Sequence, residues 1–481
     1  MAAAALALLG CSDGSKGEVV IEEPPQLLAG AAMQDITPQF EPYTDENGNL
    51  RWDEGEPFDD LNGDDIHDSL WLGGFGPRQP TGVHDPLEAR SVAIAVGEDR
   101  FTLTAVDALG LSRQRIRAIQ NAVVAAADPA HGLRAERIII ASTHTLAGPD
   151  TIGIFGPDSL ESAWDGAYLD LVANRTAESI LDALDALEPA SFVLAHADAG
   201  EGFVRDIDPP EITDPYVGIV QLRRDDGSAV ATLTTAANHP EAAWSDNTEV
   251  SADYLGPLRT AIEAEYGGVA LAFVGALGLM QSPAEIGEPG FDRVDALGAL
   301  YADEVLAALA AAEPWPVEQV VPKIGYREIT VPFQNGELYL GVSTGVVEGY
   351  SEFLYDDGSG TCSLGCFDAP VAVVQMGEAT TIVTIPGELS PELVVGGVVS
   401  PEGYAGAYAD AEAEPHLEPF IDTAHRFLIG LAFAELGYLY PKKTFEPDVH
   451  PGQLHGPGPE AASRLMARLC NFVQEVAHPP E

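Results

Sequence analysis

The chain has 481 residues, with 23 Lys and Arg against 76 Asp and Glu, a formal net charge of −53 at 46% hydrophobic composition. So much apolar content supports a large buried core and excludes a disordered acidic tail. The charge excludes nucleic acid and anionic lipid surfaces as direct partners, because binding phosphates depends on Lys and Arg releasing counterions.

In chain order, Met1–Gly10 is a nearly unbroken Ala/Leu run. It is too short to span a bilayer, which takes about 20 residues, but long enough for the apolar part of an export signal. Leu8-Leu9-Gly10-Cys11 looks like a bacterial lipobox, with Cys11 the lipidation site and residues 1–30 a signal and polar linker. The expected location is outside the cytoplasm, as an envelope-anchored lipoprotein or a secreted protein. Membrane contact would run only through the tether.

Residues 45–68 form a carboxylate-rich insert in which Asp-x-Asn-Gly-Asn/Asp occurs twice, at Asp45-Asn47-Gly48-Asn49 and Asp60-Asn62-Gly63-Asp64. Hard oxygen ligands at alternate positions, with a Gly for the sharp turn, are what a Ca²⁺ loop requires. Asp53, Glu56 and Asp68 are the acids expected to close the shells, Glu56 standing twelfth from Asp45. The pattern looks like the short repeated calcium loops of extracellular proteins.

From about residue 88, β-rich runs alternate with helical stretches. Strands are expected at 91–96, 101–106, 137–142, 190–195, 217–222, 229–235, 269–274 and 380–385, and helices at 112–127, 167–187, 255–266 and 294–312. This alternation predicts an α/β fold with a central mixed sheet flanked by helices. Its ligands should gather at the carboxyl ends of the strands. Three strand ends run into a metal-ligand residue followed by a Gly or Pro turn: His144, His239 and Glu388. Two imidazoles and a carboxylate are the ligand set of a catalytic Zn²⁺ site with a position open for water. Cys362 and Cys366 are spaced for a small disulfide loop, and Cys470 has no evident partner.

These motifs, taken in order, resemble the neutral (alkaline, non-lysosomal) ceramidases and their N-terminal catalytic domain. The likeness starts at Asp35-Ile36-Thr37-Pro38 and passes through residues 82–90, Val106-Asp107 and Thr143-His144-Thr145. It continues at Asn238-His239-Pro240, Ser251-Ala252-Asp253-Tyr254 and Pro386-Gly387-Glu388-Leu389, and ends at Gly430-Leu431-Ala432 ahead of Gly437-Tyr438. The resemblance implies zinc held by His144, His239, Glu388 and Tyr438. It implies hydrolysis of an N-acyl amide, ceramide included, by a metal-bound hydroxide, with Arg205 on the oxyanion and Ser282 positioning the substrate. His84 and Asp107 would support the metal ligands. The partner expected is a small-molecule or lipid amide, in a hydrolase domain spanning residues 31–450 with a tail helix at 451–481 and no C-terminal β-sandwich domain.

The chain departs from the family pattern in places. Leu146 stands where the family has a second His, Ser282 aligns only across one extra residue in Gly278–Pro283, and Val204 precedes Arg205 in place of an Asn. An apolar Leu cannot donate a hydrogen bond to an oxyanion. Two alternatives follow: a hydrolase of another linkage, or a catalytically weak binding protein on the same fold.

Overall fold

The mixed α/β architecture is present, with the described strands falling into three larger sheets and three two-stranded ones. The computed structural model describes residues 26–479, apart from 159–160, 201, 208–210, 350–354, 356–361, 363, 399–406 and 447–450. Cys11 and the export segment lie outside the described residues.

The first sheet runs Ile138–Ser142, Asp99–Val106, Glu88–Val96, Leu27–Asp35, Glu188–Pro189, and is parallel only between its first two strands. The second runs Val269–Val274, Ala229–Ala236, Tyr216–Arg223, Ser191–Asp198, Pro314–Trp315, again parallel only at the first pair. In the third, Pro322–Pro332, Cys366–Met376 and Thr380–Thr384 pair antiparallel, and Thr380–Thr384 pairs parallel with His425–Ile429.

Apolar side chains of all three sheets meet in one cluster, which includes Val92, Leu103 and Ile139 from the first, Leu222, Leu233 and Leu271 from the second, and Val374, Ile382 and Phe427 from the third. Helices Leu255–Tyr266 and Phe291–Ala310 pack with the second sheet in a separate cluster built on Val193, Ile219, Leu258 and Leu297. Helices Arg113–Ala126 and Gly166–Asp185 start where Ser112 accepts from the Arg115 amide and Asp165 from the Tyr168 amide. Such side-chain caps satisfy backbone donors that the first helical turn leaves open.

The structure corrects the boundaries at both ends. The strand Leu27–Asp35 begins inside the stretch expected to be linker. Its Leu-Ala-Gly-Ala-Ala run shows no alternation because it is packed on both sides; a Cβ on Gly30 would lie 2.2 Å from the Ala183 carbonyl oxygen of helix Gly166–Asp185. The C-terminal helix, Pro459–Ala477, is core rather than tail, since Leu465, Met466, Leu469 and Phe472 are buried with Val371 and Val373 of the third sheet. Cys362 and Cys366 are joined in a disulfide, and Cys470 is a buried free thiol. No described helix is long and apolar enough to cross a membrane.

Candidate metal centre

Each sheet delivers one ligand candidate. His144 follows Ile138–Ser142 by two residues, His239 follows Ala229–Ala236 by three and Glu388 follows Thr380–Thr384 by four. Each of these strands belongs to the parallel pair of its sheet, where strand carboxyl ends lie side by side and leave a crevice beyond them.

The three side chains meet in the interior, at exposures of 6%, 3% and 5% for His144, His239 and Glu388. Glu388 Oε2 lies 3.0 Å from His239 Nε2 and 3.4 Å from His144 Nε2. The opposite ring nitrogens face carbonyls: His144 Nδ1 is 2.6 Å from Leu109 O and His239 Nδ1 is 2.7 Å from Met280 O. A carbonyl can only accept, so Nδ1 carries a proton in both rings, and Nε2 is the atom turned toward Glu388, free to act as a ligand once it is deprotonated. This is the orientation that ligating histidines need. His144 also sits at φ 63°, in the left-handed region. Its amide donates to Ala108 O, and the preceding Thr143 amide to Val106 O. Strain of this kind persists only where the surroundings over-determine it.

Tyr438 is the register partner of Glu388 in a short parallel bridge, Glu388–Leu389 with Tyr438–Leu439. Its Oη lies 3.5 Å from His239 Nε2. The donor set fits Zn²⁺. Two ligand atoms held at 2.0–2.1 Å from one tetrahedral centre lie roughly 3.3 Å apart, close to the two separations to Glu388.

Charge in this pocket is tightly constrained. Burial alone would lower the His144 imidazolium, but the Glu388 charge and hydrogen bond outweigh it and raise the group to about 9. Burial would likewise raise Glu388, yet His144 and His239 hold its carboxyl well below the usual range. Burial, then Glu388, keeps the Tyr438 phenol protonated. Two carboxyl groups missed in the sequence complete the surroundings. Glu241 is raised to about 8 by burial and by Asp253, and Glu435 to about 8 by burial and by Glu388. Glu241 lies two residues after His239 on the same turn, so its place was readable; Glu435, three before Tyr438, had no such signal.

Of the other expected site residues, Ser282 is buried and its Oγ has no hydrogen-bond partner among the described residues. It lies two residues after Met280, whose carbonyl holds His239. Arg205 is exposed, pairs in register with Gln281 and donates to its Oε1 at 3.2 Å, and so stands at the rim on the strand beside Met280. His84 does not support the ligands: it is exposed and stacks on Phe291, ring centroids 3.6 Å apart. Asp107 touches neither histidine ring. It takes two bonds from Arg259 at 2.8 and 2.9 Å and one from the Thr143 hydroxyl, and so braces the backbone that carries His144.

The acidic insert folds as two like loops. Asp45 accepts from the amides of Gly48, Asn49 and Leu50, and Asp60 from those of Gly63, Asp64 and Asp65. Asp53 takes the Asn47 and Asn49 side-chain amides, and Asp68 takes that of Asn62. The closing carboxylates are exchanged. Glu56 accepts from Glu46 N and Asp53 N of the first loop, while Glu41 accepts from Leu61 N and Asp68 N of the second. Glu41 was missed because it precedes the loop it serves, although Glu41-Pro42-Tyr43 and Glu56-Pro57-Phe58 head the same repeat. Tyr43 and Phe58 pair as an antiparallel bridge between the loops.

Neither a family model nor a curated protein matches the chain. Solved structures do. The neutral ceramidase of Pseudomonas aeruginosa superposes with a TM-score of 0.66 at 14% identity, over 95% of this chain and 76% of that one. A ceramidase complexed with C2 superposes with a TM-score of 0.67 at 13% identity, over 94% and 75%. At such identity the likeness shows a shared fold, in which this chain places a buried His-His-Glu group able to hold a metal ion.

Proposed function

We propose that the chain is a zinc-dependent hydrolase of N-acyl amides, with ceramide among its candidate substrates. The observation that carries this reading is the meeting of His144, His239 and Glu388 from three sheets, all ligand atoms within 4.8 Å of one another. Tyr438 is the fourth group at hand. A zinc ion held there supplies Lewis acidity to a carbonyl and acidifies water.

The rest falls to the chain. Leu109 O and Met280 O fix the orientation of the two imidazoles, and Glu388 lies 3.0 and 3.4 Å from their Nε2 atoms. Glu241 and Glu435 hold protons at neutral pH in the metal-free chain, placing exchangeable protons beside the site. Arg205 at the rim offers a cation to a developing oxyanion, and Ser282 Oγ, buried and without a hydrogen-bond partner among the described residues, offers a hydrogen bond to the amide. The insert is proposed to hold Ca²⁺ in its two loops, and Cys11 to carry a lipid anchor on an exported protein.

The test is metal analysis with a substrate panel. Wild-type protein should carry about one zinc and cleave N-acyl amides in preference to esters. His144→Ala and His239→Ala should lose both metal and activity, since each removes one of about four ligands. Stoichiometric zinc in both variants would refute the site, and bound metal without turnover of any amide or ester would make the chain a binding protein.

A further inference from the structure

Arginine is rarely buried without a partner, because a guanidinium taken out of water must recover its hydrogen bonds and its counter-charge. Five are buried among the described residues: Arg78, Arg90, Arg113, Arg259 and Arg293. Three of them are ion-paired, Arg90 with Glu88 and Glu263, Arg113 with Glu328, and Arg259 with Asp107. Arg78 instead spends its two Nη atoms on the carbonyls of Gly73, Gly74, Leu146 and Asn247.

Arg293 has neither provision. At 5% exposure its side chain makes one hydrogen bond, from Nε to Ala242 O at 2.9 Å, and its buried Nη2 has no partner among the described residues. The chain carries 76 Asp and Glu, yet no ion pair among the described residues includes Arg293. Asp253, Glu241 and Glu288 act on it only through space. Asp253 is already engaged, since its carboxylate accepts from the amides of Ala242, Ala243 and Tyr254. Burial lowers the Arg293 guanidinium, and Arg205 is near enough to add to the lowering. The unpaired cation also stands beside the metal centre. Ala242, which holds it, is three residues past His239, and Glu241 N donates back to His239 O at 2.9 Å within the same turn. Two like charges kept close, one of them buried without a counter-ion, call for an anion from outside the chain.

We propose that Arg293 binds the carboxylate of an N-acyl amino acid, beside the amide that is cleaved. The substrate class rests on the hydrolase reading; the anion site does not. A guanidinium presents a planar fork that matches a carboxylate. With Asp253, Glu241 and Glu288 in its field, a singly charged carboxylate is opposed less than a doubly charged phosphate. In the hydrolysis the oxygen of water bonds to the acyl carbon, and the carbon–nitrogen bond breaks with its electron pair going to nitrogen. Nitrogen takes up the proton that water gives, so a carboxylic acid and an amino acid result.

The test compares wild type with Arg293→Met, which removes the charge, and Arg293→Lys, which keeps the charge without the fork. Calorimetry with hexyloxyacetate and hexyloxyethanol reads the anion site without any reaction, because an ether stands where the amide would be. Wild type should bind the carboxylate at least about tenfold more tightly than the alcohol, as a hydrogen bond to a charged group warrants. Arg293→Met should lose that preference, and Arg293→Lys should fall between the two. The melting temperature of Arg293→Met should hold, since a buried charge without a partner is what it loses. In parallel, kcat/KM should favour N-hexanoylglycine over N-hexanoylglycinamide in wild type, and the two should converge in Arg293→Met through KM. Carboxylate binding that needs Arg293, without cleavage of any N-acyl amide, would overturn the hydrolase reading and leave the anion site standing. Equal binding of the two ethers by wild type would overturn the anion site, and this result needs no variant to fold. A carboxylate preference unchanged in Arg293→Met would overturn it as well, by assigning the anion to another group.

Discussion

On the zinc reading, a metal ion entering the site would displace a proton, because Glu388 holds His144 protonated at neutral pH in the metal-free chain. In the metal-free chain His144 is raised to about 9 by Glu388 against the opposing effect of burial. At pH 7 it is therefore about 99% protonated, and zinc, which needs the neutral ring, binds roughly 100-fold more weakly than at full deprotonation. Glu241 and Glu435, raised to about 8, add protons that a dication would drive off. Zinc titrations of the metal-free protein in two buffers of different ionisation heat should show at least about one proton released at pH 7. Affinity should rise by about tenfold per pH unit toward pH 9. In Glu388→Gln the group that raises His144 is gone, and the release from that ring should vanish along with most of the affinity. Fewer than about half a proton at pH 7, with affinity flat from pH 7 to 9, would refute the electrostatic account. Stability follows the same pair. The raised His144 contributes fully below its unfolded value of 6.5 and loses its contribution as pH climbs through about 9. The lowered Glu388 contributes above 4.5 and loses its contribution as pH falls below that. Counted once, the pair gives the metal-free protein on the order of 3 kcal/mol, greatest between those two limits, and its melting temperature should fall from pH 7 to 10.

Three further outcomes are expected. Glu41→Gln should weaken calcium binding in the second loop as Glu56→Gln does in the first, read by calorimetry; equal titrations of wild type and both variants would leave a solvated acidic insert. Arg259→Met strips the partner from buried Asp107, and such losses cost about 3–5 kcal/mol, so the denaturant midpoint should drop even with metal bound. Leu146→His should raise kcat on amides by up to on the order of 10² if the site lacks an oxyanion donor. A variant slower than wild type would show that another group already fills that role.

The candidate ligands were legible because each closely follows an apolar strand of strong β character at a Gly or Pro turn, a local pattern that survives without knowledge of the sheet. Tyr438 was reachable only by resemblance, since its two-residue bridge to Glu388 is too short to leave a periodic trace. The division into three sheets was not legible. Pro322–Pro332 and His425–Ile429 carry Lys323, Arg327, Glu328, His425 and Arg426 among their apolar residues, which blurs the alternation. The small-residue strand Leu27–Asp35 owes its place to packing against a helix that lies 150 residues later in the chain.

The candidate metal site draws on three sheets. His144, His239 and Glu388 bring their ligand atoms within 4.8 Å of one another, each from beyond the parallel strand pair of a different sheet. Ile139, Leu233 and Ile382, one from each ligand-bearing strand, sit in one core together. The relative placement of the ligands is thus set by close-packed side chains well behind the site, where a change of even one methylene is felt. Residues in front of it, such as Leu146 and Val204, are not among the side chains of that core, so they can change while the His-His-Glu group keeps its geometry. Metal affinity should accordingly respond to the core behind the strands.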